Sequence, residues 1–288
     1  MRGRNGQRSA RLKSRPANRY SRGRNCLSSM YTQEAGPLNA PTIVFLHGGG
    51  MSGWIWKVQL DHFRDFHCLV PDLPGHGHSA SEPLASLKDC AGKTAELIYA
   101  RAHRPVHIVG HSLGAKVLLE FLSGHPDLAD HAVVASALCR PIRLMQLMHH
   151  RWIYQMSASL SRRRSLIRWT AKSMGFSDEF YRTSFVHDTQ QLTAEALEKI
   201  YGLVLENLNL PPGLSNVKTR VLAVAGSNEP KAMRQSVRDT AALIPTAKGV
   251  FLKRAGHTFP WVQGGEFNSL IRAWITDSPL NREALEDA

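Results

Sequence analysis

The chain has 288 residues, of which 43% are hydrophobic and 20% charged, which is typical of a globular protein with a large buried core and excludes a fibrous or disordered chain. No apolar run approaches the roughly 20 residues that cross a bilayer, and the basic N-terminus lacks a following apolar signal core, so we expect a cytoplasmic protein without a membrane span. The four cysteines, at positions 26, 68, 90 and 139, are widely separated. Their spacing argues against a disulfide framework or a zinc site, and we expect neither a metal nor an organic cofactor.

The formal net charge of +13 is concentrated at one end of the chain. Residues 1–29 contain nine arginine and lysine side chains and no acid, which leaves +4 for the remainder. This segment has no hydrophobic periodicity and is predicted to be a disordered basic arm. A solvated tail, or translation from Met30, is favoured over an organelle transit peptide or a nucleic-acid-binding or lipid-binding arm, because nothing aromatic or helical organises the charges.

From residue 41 onward, short apolar runs alternate with stretches of helical spacing, which indicates parallel strands joined by crossover helices. The runs at 43–46 and 221–224 are continuously apolar, as strands buried on both faces should be. We predict a doubly wound sheet. The predicted strands are 42–46, 68–72, 106–110, 131–135, 220–225 and 249–253, and the predicted helices are 54–66, 87–101, 113–123, 233–244 and 267–275.

No strand is predicted between residues 140 and 214, a helical stretch rich in Met, Trp and Arg that ends in a Pro-Pro-Gly breaker. An insertion that follows the strand 131–135 emerges at the carboxyl edge of the sheet, where open α/β folds bind ligands. We therefore predict a helical cap at 140–214, inserted before the last two strands, and a core formed by 30–139 and 215–288.

The pentapeptide Gly110-His111-Ser112-Leu113-Gly114 lies where a predicted buried strand turns into a helix. Side chains at the two glycine positions would collide with the neighbouring strand and helix, and the tight turn presents the serine at an exposed corner. Ser112 is therefore the candidate nucleophile.

A serine hydroxyl needs a base to take its proton and an acid to orient that base. Among the fourteen histidines, His257 is the one late in the chain that directly follows a strand. After the strand 220–225, a glycine turn leads to Glu229, which we predict as the acid. Asp239 is the less suitable alternative, because it lies within a helix and should face solvent.

Attack on a carbonyl develops negative charge on oxygen, which two backbone N–H groups can stabilise. Leu113 follows the nucleophile at the start of a helix and is predicted to supply one of them. The other is predicted to come from the glycines after the strand 42–46, with Gly49 favoured over Gly50. Trp54 and Trp56 follow this loop and are predicted walls of the substrate pocket.

These motifs stand in the order seen in α/β-hydrolase fold enzymes, which the chain resembles over about residues 31–276. The resemblance rests on His47-Gly48-Gly49-Gly50, Asp72-Leu73-Pro74-Gly75-His76-Gly77-His78-Ser79, the pentapeptide around Ser112, the turn to Glu229, and Gly256-His257. It implies an eight-stranded, mostly parallel sheet with a cap. The chain is most similar to the capped esterases, haloperoxidase-like enzymes and carbon–carbon hydrolases, and departs from them in having glutamate where aspartate is commoner.

The resulting hypothesis is a serine hydrolase that cleaves a small carboxylic ester or related acyl substrate through an acyl-enzyme on Ser112. The alternatives are a carbon–carbon hydrolase or lyase-type activity with the same residues, and a non-catalytic ligand receptor on this fold. Epoxide hydrolysis and dehalogenation are not expected, because the enzymes of this fold that perform them resemble one another in using an aspartate nucleophile. We expect a monomer or homodimer.

Overall fold

The computed structural model describes residues 30–142, 151–160 and 163–288. The predicted basic arm, 1–29, lies outside the described residues, as do residues 143–150 and 161–162 of the predicted cap.

Eight strands of the described chain form a single sheet in the order β1-β3-β2-β4-β5-β6-β7-β8. The six inner strands are parallel, and β1 and β8 pair antiparallel at the two edges. This confirms the predicted eight-stranded, mostly parallel sheet. The strands are β1 (Thr32–Ala35), β2 (Thr42–Leu46), β3 (His67–Pro71), β4 (Val106–His111), β5 (His131–Ala135), β6 (Arg220–Gly226), β7 (Ala247–Leu252) and β8 (Leu285–Asp287).

The two edge strands were not among the strands predicted from the apolar runs. β1 has the sequence TQEA and β8 has the sequence LED, and both are polar and at most half-buried. Their backbones pair with the sheet, and only Ala35 and Leu285 of these strands pack against the core, so no apolar alternation marks them in the sequence. Because of β8, three strands follow the helical insertion, where the sequence predicts two.

Ten α-helices are assigned in the described residues. They are α1 (Lys57–His62), α2 (Leu87–Arg101), α3 (Leu113–Gly124), α4 (Arg151–Leu160), α5 (Arg164–Ser173), α6 (Glu179–Gln191), α7 (Ala194–Glu206), α8 (Lys231–Leu243), α9 (Phe259–Val262) and α10 (Gly264–Ile275). The predicted helix 54–66 is instead a 3₁₀ turn, Gly53–Trp56, followed by the short α1. No helix in these ranges has the length and apolar character required to span a bilayer.

The sheet has an apolar core on each face, as a doubly wound topology requires. Alternate residues of the inner strands pack against α2, α3 and α8 on one face and against α1 and α10 on the other. The helices α4 to α7 lie between β5 and β6, where the sequence places the insertion. Within the insertion α4 packs on α7 and α5 on α6. Ile200 and Leu203 of α7 join one core, and Tyr181 and Phe185 of α6 join the other.

Helix α3 packs closely on the inner strands because of two glycines. A Cβ atom added at Gly110 would lie 2.5 Å from the carbonyl oxygen of Gly114. One added at Gly114 would overlap the Leu46 carbonyl oxygen and lie 2.7 Å from that of His47. These neighbours are backbone atoms of the core and cannot move aside as a flexible side chain could.

We predict that Gly114→Ala destabilises the fold by about 3 kcal/mol, because its methyl group overlaps the β2 backbone. The matched control is Gly92→Ala within α2, where an added Cβ meets nothing within 4 Å. This substitution should stabilise the protein by about 0.5–1 kcal/mol through helix propensity. Denaturant unfolding of both variants measures the contrast, and equal stabilities would contradict the close packing.

Candidate active site

Ser112 stands at a strained turn between β4 and α3. Its backbone has φ 54° and ψ −112°, a conformation that costs of order 1–3 kcal/mol for a residue with a side chain. The turn is held because the Ser112 N–H donates to the Ala135 carbonyl at 2.9 Å and the Ser112 carbonyl accepts from Lys116 N–H at 3.1 Å. Ser112 is half-buried, whereas the residues on either side of it are buried. The turn thus presents one hydroxyl at the end of the central strand.

Glu229 and His257, two residues that the sequence predicts to act together, are in contact. Glu229 follows β6, and its Oε2 lies 2.8 Å from Nδ1 of His257. The other carboxylate oxygen, Oε1, accepts from the Gly226 N–H at 2.9 Å and from Ser136 Oγ at 2.6 Å. The Glu229 side chain is 1% exposed and that of His257 is 43% exposed. The carboxylate is therefore fixed in the core, and the imidazole extends from it towards the surface.

The surroundings of Glu229 favour its charged form. Burial by itself would raise the pKa of this carboxyl, but hydrogen bonds and charge from His257, with hydrogen bonds from Ser136 and Gly226, lower the pKa below its usual value. An ionised Glu229 can only accept a hydrogen bond, so Nδ1 of the neutral His257 imidazole carries the proton and donates it in that bond, which leaves a free lone pair on Nε2. This is the tautomer that a general base at Nε2 requires.

His111 places His257 next to the turn that holds Ser112. Nε2 of His111 lies 3.0 Å from the His257 carbonyl oxygen, and the centroids of the two imidazole rings are 4.8 Å apart. Because a carbonyl can only accept, Nε2 of His111 carries the proton. His111 is completely buried. Burial is the larger cause, and the charge of His257 the smaller one, that lowers the pKa of His111 to about 3. His111 is therefore a neutral hydrogen-bond donor that fixes the His257 backbone.

The glycine loop after β2 faces the same turn. A Cβ atom added at Gly48 would lie 3.4 Å from Cβ of Ser112. One added at Gly49 would lie 2.6 Å from Ile200 of α7 and 3.6 Å from the Leu113 side chain. Leu113 is the first residue of α3, so its N–H has no partner within the helix. The two predicted oxyanion residues, Gly49 and Leu113, are thus neighbours, and α7 of the insertion covers Gly49.

The histidines and the aspartate of the flanking motifs hold this loop in place. Nε2 of His47 accepts from the Leu73 N–H at 2.8 Å, and Nδ1 therefore donates to the Gly48 carbonyl, also at 2.8 Å. Burial lowers the pKa of His47 to about 4, so it stays neutral. Asp72 accepts from the Gly53 N–H at 2.7 Å and from the His78 N–H at 2.8 Å. These contacts stabilise the loop and leave no group free for chemistry at His47.

The two tryptophans predicted as pocket walls occupy different places. Trp56 is 0% exposed and packs on Phe45 with ring centroids 5.1 Å apart, so the structure corrects its prediction and places it in the core. Trp54 is half-buried and lines an open groove of about 840 Å³ between the 3₁₀ turn and α6. Ser112 and His257 are not among the described residues that line this groove. The sequence does not distinguish these two cases, because a tryptophan that follows a loop can either line a pocket or pack in the core.

Two further residues that contact the site were not singled out from the sequence as its parts. Ser136 has φ 55° and donates to Glu229, and Asp188 of α6 accepts from side chains of the glycine loop. Neither residue belongs to a recognisable sequence motif, because its hydrogen-bond partner is far away in the chain. No group of three or more His, Cys, Asp or Glu side chains in the described ranges is arranged to hold a metal ion.

Comparison with known proteins agrees with this geometry. Residues 43–270 match the family described as Alpha/beta hydrolase family, and the chain belongs to that family. It is 21% identical over 257 residues to (E)-2-((N-methylformamido)methylene)succinate hydrolase from Acinetobacter baylyi, covering 82% of this chain and 91% of that protein. It is 44% identical over 81 residues to pimeloyl-[acyl-carrier protein] methyl ester esterase from Methylococcus capsulatus, covering 28% of this chain and 30% of that protein.

A solved structure shows the same fold. The crystal structure of a hydrolase from Pseudomonas aeruginosa PA01 superposes with a TM-score of 0.74 at 20% identity, covering 90% of this chain and 99% of that one. The fold and the curated relatives together define a hydrolase of the α/β class.

We predict that Ser136→Ala raises the pKa of Glu229, because one of the hydrogen bonds that lower it is lost. A carboxyl with a higher pKa loses its charge at a higher pH, so activity that needs the ionised Glu229 should be lost at higher pH on the acid side of the kcat/KM profile. The matched control is Ser236→Ala, which removes a buried hydroxyl that bonds to Cys139 N–H rather than to Glu229. A profile that superposes on that of the unmodified protein would exclude this role for Ser136.

We also predict that His111 makes stability depend on pH. The unfolded chain binds a proton at His111 below about pH 6.5, whereas the folded protein does so only near pH 3, so the free energy of unfolding falls as the pH drops through this window. His111→Gln retains a donor but does not titrate. Its difference from wild type should change by about 1–2 kcal/mol between pH 7 and pH 5.

Denaturant unfolding at the two pH values measures this change. Parallel curves for wild type and His111→Gln would show that the fold does not lower the pKa of His111.

Proposed function

We propose that the protein is a serine hydrolase that cleaves a small carboxylic ester or related acyl substrate through an acyl-enzyme on Ser112. The observation that carries this proposal is the 2.8 Å contact between Glu229 and His257 beside the strained turn at Ser112. In this arrangement Ser112 is the nucleophile, His257 the base and Glu229 the group that orients the base.

In the first half-reaction, Nε2 of His257 takes the hydroxyl proton while Oγ of Ser112 forms a bond to the substrate carbonyl carbon. The carbonyl oxygen becomes negative and is stabilised by the N–H groups of Leu113 and Gly49, with the α3 dipole adding to the Leu113 contribution. As the ester C–O bond breaks, the leaving alkoxide takes the proton from His257 and departs as an alcohol.

In the second half-reaction, a water molecule attacks the acyl-serine and gives its proton to His257. The same donors stabilise the second tetrahedral oxyanion, and collapse releases the carboxylic acid and returns the proton to Oγ of Ser112. The ionised, buried Glu229 stabilises the imidazolium formed in each half-reaction, because its charge is fixed 2.8 Å from Nδ1. Removing one donor from such an oxyanion site typically costs about 10²–10³ in rate.

An ester substrate is supported by the esterase relative, whose similarity is confined to 81 residues. We propose further that residues 140–214 form a cap that selects the substrate, since Ile200 of that segment lies on Gly49. We retain the predictions that the protein works in the cytoplasm as a monomer or homodimer, on a small molecule, without nucleic acid, metal or organic cofactor.

We predict that a fluorophosphonate probe labels the wild-type protein and not Ser112→Ala, and that this variant loses kcat by about 10⁴-fold or more on nitrophenyl esters. Ser123→Ala in the same helix is the control, because its hydroxyl bonds to the Pro212 carbonyl and should not affect labelling. Equal labelling of wild type and Ser112→Ala would exclude Ser112 as the nucleophile.

An ester panel of increasing acyl length, run on the same proteins, distinguishes the alternatives. Turnover that disappears in Ser112→Ala supports the esterase. A labelled serine without ester turnover would favour carbon–carbon cleavage, and tight ligand binding that survives His257→Ala without turnover would favour a receptor.

A further inference from the structure

The loop that follows β2 is held by two carboxylates from opposite sides. From the core, Asp72 Oδ1 accepts from the Gly53 N–H at 2.7 Å. From the insertion, Asp188 Oδ2 accepts from Ser52 Oγ at 2.7 Å and from Trp54 Nε1 at 2.7 Å. Three consecutive residues of the loop are therefore each bonded to a carboxylate, and two of these bonds come from helix α6.

The buried position of Asp188 would destabilise the fold if its carboxylate had no hydrogen-bond partners. It is 8% exposed, on a helix whose Tyr181 and Phe185 are packed in the apolar core. Burying a carboxylate is unfavourable by several kcal/mol without hydrogen-bond partners. Hydrogen bonds to an ionised oxygen are shorter and roughly twice as strong as neutral ones, and both donors here are at a charge-assisted distance. These two hydrogen bonds therefore favour one position of α6 relative to the loop.

The same contact connects the insertion to the proposed oxyanion donor. Ser52 is three residues from Gly49, and the short loop between them has little freedom once one end is fixed. The Trp54 ring adds edge-to-face contacts with Phe176 and Tyr181 of the insertion, at centroid distances of 5.3 Å and 6.0 Å. An oxyanion donor is effective only when its N–H is already directed at the developing charge, so small movements of this loop affect the rate.

We propose that Asp188 is a positioning residue through which the insertion fixes the loop of oxyanion donors, so that the seating of α6 and the geometry at Gly49 are coupled. This inference rests on the proposed function. In this role Asp188 acts through its hydrogen bonds to Ser52 and Trp54.

The central experiment compares Asp188→Ala with Asp188→Asn. The alanine variant removes the acceptor of both bonds and should lower kcat about 10- to 100-fold, while KM changes less than about threefold. The asparagine variant keeps a carbonyl oxygen that can accept both bonds, and it should restore kcat to within about fivefold of wild type. Asp178→Ala is the matched control, because Asp178 caps the same helix through Tyr181 N–H but does not touch the loop.

A double-mutant cycle shows whether the loss passes through the two donors. Ser52→Ala and Trp54→Phe each remove one hydrogen bond and should each lower kcat in the wild-type background. In the Asp188→Ala background they should have little further effect, because the acceptor is already gone. Fully additive losses would overturn the proposal.

Amide hydrogen exchange gives a readout independent of activity. Exchange at residues 47–54 should increase in Asp188→Ala and remain as in wild type in Asp188→Asn and Asp178→Ala. Unchanged exchange in Asp188→Ala overturns the coupling whether or not the protein hydrolyses esters. A wild-type protein with no Ser112 labelling refutes the proposed function instead. Normal kcat in Asp188→Ala, with wild type active, refutes only the coupling.

Discussion

The close approach of α3 to the backbone of β2 is the constraint on which the rest of the site depends. Gly110 and Gly114 leave no space for a Cβ atom, and this contact sets the sharp turn that places Ser112 at φ 54°. The strain at Ser112 persists because both neighbouring elements are buried on the core. The same contact brings the β2 loop, with Gly48 and Gly49, against the serine. One packing requirement thus positions both the candidate nucleophile and the candidate oxyanion donors.

A second set of contacts converges on a carboxylate that belongs to no local motif. Glu229 is reached by the end of β5 through Ser136, by its own turn through Gly226, and by the loop after β7 through His257. Parallel strands bring their carboxyl ends to one edge, so residues about thirty and ninety positions apart can bond to one side chain. The glutamate side chain reaches all three partners, with two hydrogen bonds at Oε1 and one at Oε2.

Features that depend on neighbouring residues are predictable from the sequence, whereas features that depend on residues distant in the chain are not. The turn at Ser112 was predicted because glycine sterics act within five residues, and the pairing of Glu229 with His257 followed from strand order. Trp56 was misplaced because burial depends on Phe45, which is distant in sequence. The strands β1 and β8 were missed because polar edge strands are held by backbone hydrogen bonds without apolar alternation. Asp188 gave no signal, since an acid on a helix more commonly faces water.

The fold class and the order of the motifs can be read from the amino-acid sequence, because continuous apolar runs and glycine turns encode buried parallel strands locally. The tertiary structure alone decided which side chains hold those motifs. Three of these side chains, Ser136, His111 and Asp188, bond to partners on other elements of the fold. Such long-range hydrogen bonds leave no periodicity or fixed spacing in the sequence that would predict them. The turn at Ser112 is a local property, whereas the environment that would make it reactive arises only when β5, β6, β7 and the insertion meet.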